Sequence, residues 1–304
     1  MRSPLVAFLL LAVPLGAWGD KGHRLVARIA VTTLPRDLQP WFQGHVDELA
    51  EHASDPDHWK QDAKEGPRHF LDMEPYGGPD HLPRTLEEAQ AQLGGRYYRN
   101  GVLPWIIQDR WRDLVAAFQT GDPAKVTLAT AILSHYIADA HVPLHTAENH
   151  DGQYTDQRGV HSRWESGLVE RFVLATTLSA RAAQADPTFQ DRPWDWLRAA
   201  HTLVPQLLRD DATADRTTPL GTNGKQRTQA YWQIFWTLQG PVVKQQLQLA
   251  AEHLGDAVLN AWIAAGKPAL PAPPGNDSTL PKPGTPPPAR NRPAFSSSTA
   301  PASH

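Results

Sequence analysis

Cysteine is absent from the 304 residues. That excludes disulfide cross-links, thiolate nucleophiles and cysteine metal sites together, so stability must come from the core or from something bound. No apolar run reaches the roughly 20 residues a membrane-spanning helix needs; the longest, Leu5 to Gly16, falls short. A basic stripe is missing too. The formal charge is −3, and because the stretch from Lys267 onward carries four cations against Asp277 alone, residues 1–266 hold −6. Such a body does not bind duplex DNA through lysine and arginine, although bound cations could reverse the sign locally. Strand-like alternation is scarce and no repeat of fixed period is present.

What is present begins with an export pattern. Arg2, the apolar run and Leu15-Gly16-Ala17 resemble a signal peptide over residues 1–17, which places the mature protein in the periplasm or outside the cell and makes Trp18 its first residue. From Trp18 to Gly266 the pattern is helical: "VLPWIIQDRWRDLVAAFQTG", "AKVTLATAILSHYIADAH", "GVHSRWESGLVERFVLAT" and the long segment from Tyr231 all repeat apolar residues at steps of three and four. The spacing predicts a single all-α domain over residues 18–266, with long loops at 52–84 and 146–160. Residues 267–304, crowded with Pro, Ser and Ala, bury too little to fold and are expected to form a disordered tail.

Two helices carry charge where apolar residues belong. In "TLATAILSHYIADAHVPLH", Leu128, Ile132, His135, Asp139 and Val142 share one face, and Pro143 breaks the helix before His145. In "GVHSRWESGLVERF", His161, Glu165, Leu168 and Phe172 do the same. A buried carboxylate costs several kcal/mol unless paired or bound to metal. His and carboxylate one turn apart on facing helices are how a bundle holds a metal in its core. Imidazole and carboxylate suit zinc, with iron or manganese as alternatives. The loop around "ASDPDHWKQDAKEGPRHFLD" offers Asp57 and His69, with Asp55 the alternative carboxylate, and "WGDKGH" offers His23. Loop aspartates are more often turn formers, so these count only as a set. His141, His150 and the remaining histidines are expected at the surface.

These residues resemble the zinc-dependent phospholipase C and single-strand-specific (type I) nuclease superfamily, over roughly residues 18–263. The most specific block is "SHYIADAHVPLH". The resemblance implies a helical fold around three zinc ions. Trp18, through its free amino group and carbonyl, would hold one with His23 and Asp139. Asp57, His69, His135 and the shared Asp139 would hold the second, and His145, His161 and Glu165 the third. Hydroxide held between the zincs of the Asp139 pair would attack phosphorus in line, with Asp57 orienting it, and the products would carry 5′-phosphates.

Four residues separate Trp18 from His23, as in the nucleases, whereas Glu165 in place of Asp matches the phospholipases. The segment "TAENHDGQYTDQRG" is shorter than its counterpart in the fungal nucleases, so their base-binding residues do not transfer to it. The reading that follows is an exported endonuclease of single-stranded DNA or RNA, expected to be a monomer without stable protein partners, with Lys60 a candidate phosphate contact and Tyr154 a candidate base-stacking shelf. Two other readings stay open: a phospholipase C acting on lipid head groups, and a zinc-binding module without turnover.

Overall fold

The computed structural model describes residues 18–59, 62–218, 227–270 and 280–286. The expected signal peptide (1–17) and Lys60 lie outside the described residues, as do 271–279 and 287–304 of the proline-rich segment. The described residues form α1 (Gly19–Thr33), α2 (Gln39–Gly44), α3 (Val46–His52), α4 (Asp55–His58), α5 (Leu86–Leu93), α6 (Leu103–Thr120), α7 (Pro123–Asp139) and α8 (Val160–Ser162). A π-helical stretch, Arg163–Leu168, runs on from α8 into α9 (Val169–Phe172), followed by α10 (Arg192–His201), α11 (Val204–Thr217) and α12 (Gln229–Ala264). No β-strand occurs among the described residues, and the fold is all-α, as the periodicity predicts.

Local chemistry sets the main hairpin. Gly121, at φ +66°, ends α6 in the left-handed conformation, Asp122 accepts hydrogen bonds from the amides of Ala124 and Lys125, and Pro123 opens α7. α6 and α7 therefore pack as neighbours. The 36 residues of α12, about 54 Å at 1.5 Å per residue, run along α1, α6, α7 and α11. Trp18, Trp164, Phe42, Phe118 and Phe235 are fully buried between these elements. Each contributes roughly 1.5–3 kcal/mol through the apolar surface it removes from water.

α7 departs from the amphipathic expectation. Leu128 is only partly buried, while every residue from Thr130 to Asp139 is buried. α1, α3, α6 and α12 all pack on this helix, so its last turns have no solvent face to oppose a core stripe. His135 and Asp139 are inside because everything there is inside.

The expected loop 52–84 contains α4 and three 3-10 turns, Gly66–His69, Glu74–Tyr76 and Pro79–His81. Two backbone bonds tie it to the chain after α7: Leu71 N–H to His145 O at 2.9 Å and Met73 N–H to Thr146 O at 3.2 Å. Val102 and Leu103 donate to Pro67 and Phe70 in turn. Gly101 makes that approach possible: its φ is +92°, and a Cβ there would lie 2.1 Å from the Phe70 carbonyl oxygen.

Parts of the segment expected to be disordered are held. Trp262 Nε1 donates to Pro268 O at 2.9 Å and Leu270 packs on the core. Residues 280–286 form a turn against α4. Such a turn needs few apolar side chains, because the body supplies donors and acceptors to its backbone.

Candidate metal centre

Six pieces of chain converge at the end of α7. α1 brings His23, α4 brings Asp57, and the following 3-10 turn brings His69. α7 brings His135 and Asp139, the 3-10 turn Pro143–Thr146 brings His145, and α8 with the π-helix brings His161 and Glu165. The break before Pro143 re-aims the chain so that His145 returns to the side occupied by Asp139, their nearest atoms 3.9 Å apart.

The side chains form three groups whose ligand atoms lie within 4.8 Å of one another: His23, Asp57 and His135; His69, His135 and Asp139; His145, His161 and Glu165. The last has the members of the third set that the resemblance implies, and the second has three of the four members of its set, without Asp57. In the first, Asp57 stands between His23 and His135 as well as beside His69, from which it is 3.8 Å away.

The spacing fits metal binding. Two ligands about 2.0–2.2 Å from one tetrahedral ion stand about 3.4 Å apart, beyond ordinary hydrogen-bond length. Here His135 Nε2 is 3.3 Å from Asp139 Oδ2 and 3.6 Å from Asp57 Oδ1, His23 Nε2 is 3.7 Å from Asp139 Oδ1, and His145 Nε2 is 3.6 Å from Glu165 Oε2. Shorter contacts link His69 Nδ1 to Asp139 Oδ2 (2.9 Å) and His161 Nε2 to Glu165 Oε2 (3.0 Å). Asp139 Oδ1 and His145 Nδ1, 3.9 Å apart, are buried without a hydrogen-bond partner. Two such atoms facing each other would each cost about 1–3 kcal/mol; a cation between them removes that cost.

The electrostatics favour the protonation states that metals require. Burial, with the adjacent His135 ring, pushes His23 down to about 4, and burial lowers His145 against the pull of Asp139. Both imidazoles are thus neutral at pH 7. Burial alone would raise Asp139, but the His135 and His145 rings and hydrogen bonds from His135 and His69 outweigh it and hold the carboxyl well below the usual range. Burial of Glu165 is likewise outweighed, by His161 and by hydrogen bonds from His145 and His161. Neutral imidazoles facing ionised, almost inaccessible carboxylates leave a net negative pocket, the environment a divalent cation neutralises.

A surrounding shell orients the rings. His135 Nδ1 lies 3.0 Å from the Ala53 carbonyl, so a proton there leaves a lone pair on Nε2 that can bind metal. Behind His69, Glu65 is buried; its Oε1 accepts from the Tyr136 hydroxyl and lies 3.4 Å from His69 Nε2, while Arg68 Nη1 bonds Oε2 at 2.7 Å. Burial of Glu65 is outweighed by hydrogen bonds from His69 and Tyr136 and by Arg68, which hold it down at about 2. A carboxylate at Nε2 favours the proton there and frees Nδ1, which faces Asp139. Glu65 and Tyr136 did not stand out in the sequence, although the i, i+4 spacing of Glu65 and His69 was a usable signal. Arg163, on the π-helix, bonds Asp211 (2.9 and 3.0 Å) and Tyr231, anchoring His161 and Glu165 to α11 and α12.

The two loop aspartates differ. Asp55 Oδ2 takes a 2.6 Å bond with His52 Nδ1 and its Oδ1 accepts from Gly284, so it faces away from the cluster that Asp57 joins. Trp18 is fully buried, with φ +28°, and its backbone N–H donates to Glu165 Oε2 at 3.2 Å. Its nitrogen therefore lies beside Glu165, whereas the resemblance implied His23 and Asp139; as a peptide amide it carries a hydrogen that seeks an acceptor. Tyr154 is 71% exposed, on a loop braced by Tyr154 N–H to Asn149 Oδ1 (2.8 Å) and Gly159 N–H to Asp151 Oδ1 (2.9 Å).

Not every histidine expected at the surface is there. His150 is exposed, but His141 is buried, bonding Ile137 O at 2.7 Å and His253 Nδ1 at 2.8 Å, and His45 and His52 are buried beside Glu48 and Asp55. Packing around α7 and α3 takes in faces that a helical wheel assigns to water.

Against known proteins, the S1/P1 nuclease family model matches residues 18–263, a span that contains all nine residues expected to bind metal. No curated protein matches the chain.

Proposed function

Because the chain belongs to the S1/P1 nuclease family, whose members are zinc-dependent phosphodiester hydrolases, we propose that this nuclease is an exported endonuclease that cuts single-stranded DNA and RNA to leave 5′-phosphate ends. The observation that carries the reading is the pair of buried, unpartnered atoms Asp139 Oδ1 and His145 Nδ1 at the meeting point of the three His and carboxylate groups. Zinc bound there would supply positive charge for the phosphate oxygens and lower the pKa of bound water toward ~7.

The chain's own residues hold and shape that site. His145, His161 and Glu165 form one set of ligands; His69, His135 and Asp139 form a second; His23 and Asp57 belong to a third, with His135 shared. Asp57, the least buried of the three carboxylates, sits at the rim, where its carboxylate can accept a proton from incoming water. Signal cleavage before Trp18 would turn a buried amide into an amine with a lone pair inside the cluster. An unstacked base can lie on Tyr154, and Lys60 can contact phosphate. A stiff duplex cannot bring its phosphate to atoms this deep, which favours single strands.

The test is metal content of the N-terminally sequenced protein, paired with hydrolysis of single-stranded DNA, RNA and phosphatidylcholine. Three zincs on a chain beginning at Trp18, with nucleic acid cut and lipid untouched, is the expected result. Lipid cleavage alone would move the assignment to a phospholipase C, and fewer than two metals without turnover would overturn the ligand sets.

A further inference from the structure

α4 is a helix of four residues, Asp55–His58, without a side-chain cap at its N-terminus. So short a helix has no stability of its own, so its placement, and that of Asp57 on it, depends on outside anchors. Two of these end on one residue of the C-terminal segment. Gly284 N–H donates to Asp55 Oδ1 at 2.7 Å, and Trp59 Nε1 donates to Gly284 O at 3.1 Å. Gly284 sits in a turn closed by Thr285 N–H to Lys282 O at 3.1 Å, with Pro283 second and Gly284 third at φ +79°. This is the arrangement of a type II turn, which needs glycine in third place. A Cβ on Gly284 would also touch His58 Cβ at 3.4 Å.

We propose that the Lys282–Thr285 turn is an internal brace that docks in the slot between Asp55 and Trp59 and holds α4 so that Asp57 keeps its place among the metal ligands. The turn lies outside residues 18–263, so the brace is an addition to the family-matched body. Asp55 is its linchpin: one oxygen holds His52 at the end of α3, the other holds the turn, and both anchors sit within two residues of Asp57. The brace acts through Asp57 and touches no reacting group; it is a positioning element, and it rests on the reading of Asp57 as a ligand.

The experiment uses the full-length, zinc-loaded protein. Hydrogen exchange at the Gly284 amide is expected to be slowed at least about tenfold relative to an unstructured chain. In competition with excess EDTA, Gly284→Ala is expected to release one zinc about tenfold faster than wild type, the low end for loss of an outer-shell contact, with an unchanged melting temperature. Lys282→Ala, which leaves the turn's backbone intact, should match wild type. Asp57→Asn separates the two readings. If it releases one zinc quickly while Gly284→Ala does not, the brace is wrong and the ligand stands. If Asp57→Asn holds every zinc as tightly as wild type, the ligand reading fails and the brace with it. Unprotected exchange at Gly284 would refute docking directly.

Discussion

Replacing Glu65 by glutamine tests whether the shell behind the cluster sets metal affinity. Glu65 takes the Tyr136 hydroxyl on Oε1, lies 3.4 Å from His69 Nε2, and holds Arg68 at 2.7 Å on Oε2. Held at about 2, the carboxyl is ionised throughout the working pH range. Glutamine keeps the shape but removes the charge that favours a proton on His69 Nε2. His69 can then carry its proton on Nδ1, the atom facing Asp139 and Asp57, and each metal bound there must first displace it. Loss of such a partner weakens metal affinity by about 10- to 100-fold, or about 1.4–2.7 kcal/mol. The assay is zinc competition against a calibrated chelator, with the melting temperature of the metal-free protein measured alongside. Zinc affinity within twofold of wild type in a normally folded Glu65→Gln would refute the argument, and Glu65→Asp, which keeps the charge, should recover part of the loss.

Three further outcomes follow from the same structure. Burial, reinforced by Glu74 and Glu148, pushes the half-buried Asp72 up from 3.8 to about 7, so the folded protein keeps a proton that the unfolded chain has released between those values, and stability falls as pH rises across that window. Asp72→Asn should therefore stabilise the protein at pH 8 and do little at pH 4; a ceiling of ~4 kcal/mol, reduced to ~1–2 by solvent at its exposed side, is measurable by urea denaturation at the two pH values. Gly101→Ala should cost about 3 kcal/mol or more, roughly 6–12 °C in melting temperature, because its Cβ would collide with the Phe70 carbonyl. Asp57→Asn should weaken zinc binding more than 100-fold, whereas Asp55→Asn, which loosens the anchors of α4 without removing a ligand, should lower stability by about 1–2 kcal/mol and zinc affinity about tenfold; equal effects in the chelator assay would contradict the assignment of the two aspartates.

Helicity and the two pairs of His and carboxylate were legible in the sequence because both are local. Apolar residues at steps of three and four declare a helix wherever it later packs, and His135 with Asp139, or His161 with Glu165, one turn apart, must share a face of any helix that contains them. Tertiary structure decided the rest. Asp55 and Asp57 are two residues apart in one short turn, and only anchors from His52 and Gly284 determine which carboxylate faces the cluster. The burial of His141, the Tyr136 hydroxyl that holds Glu65 behind His69 and the docking of a proline-rich turn likewise depend on segments up to 229 residues away. Periodicity reports what a segment presents to its neighbours; the neighbours themselves, and therefore the direction in which a buried polar atom must find its partner, exist only once the helices have packed.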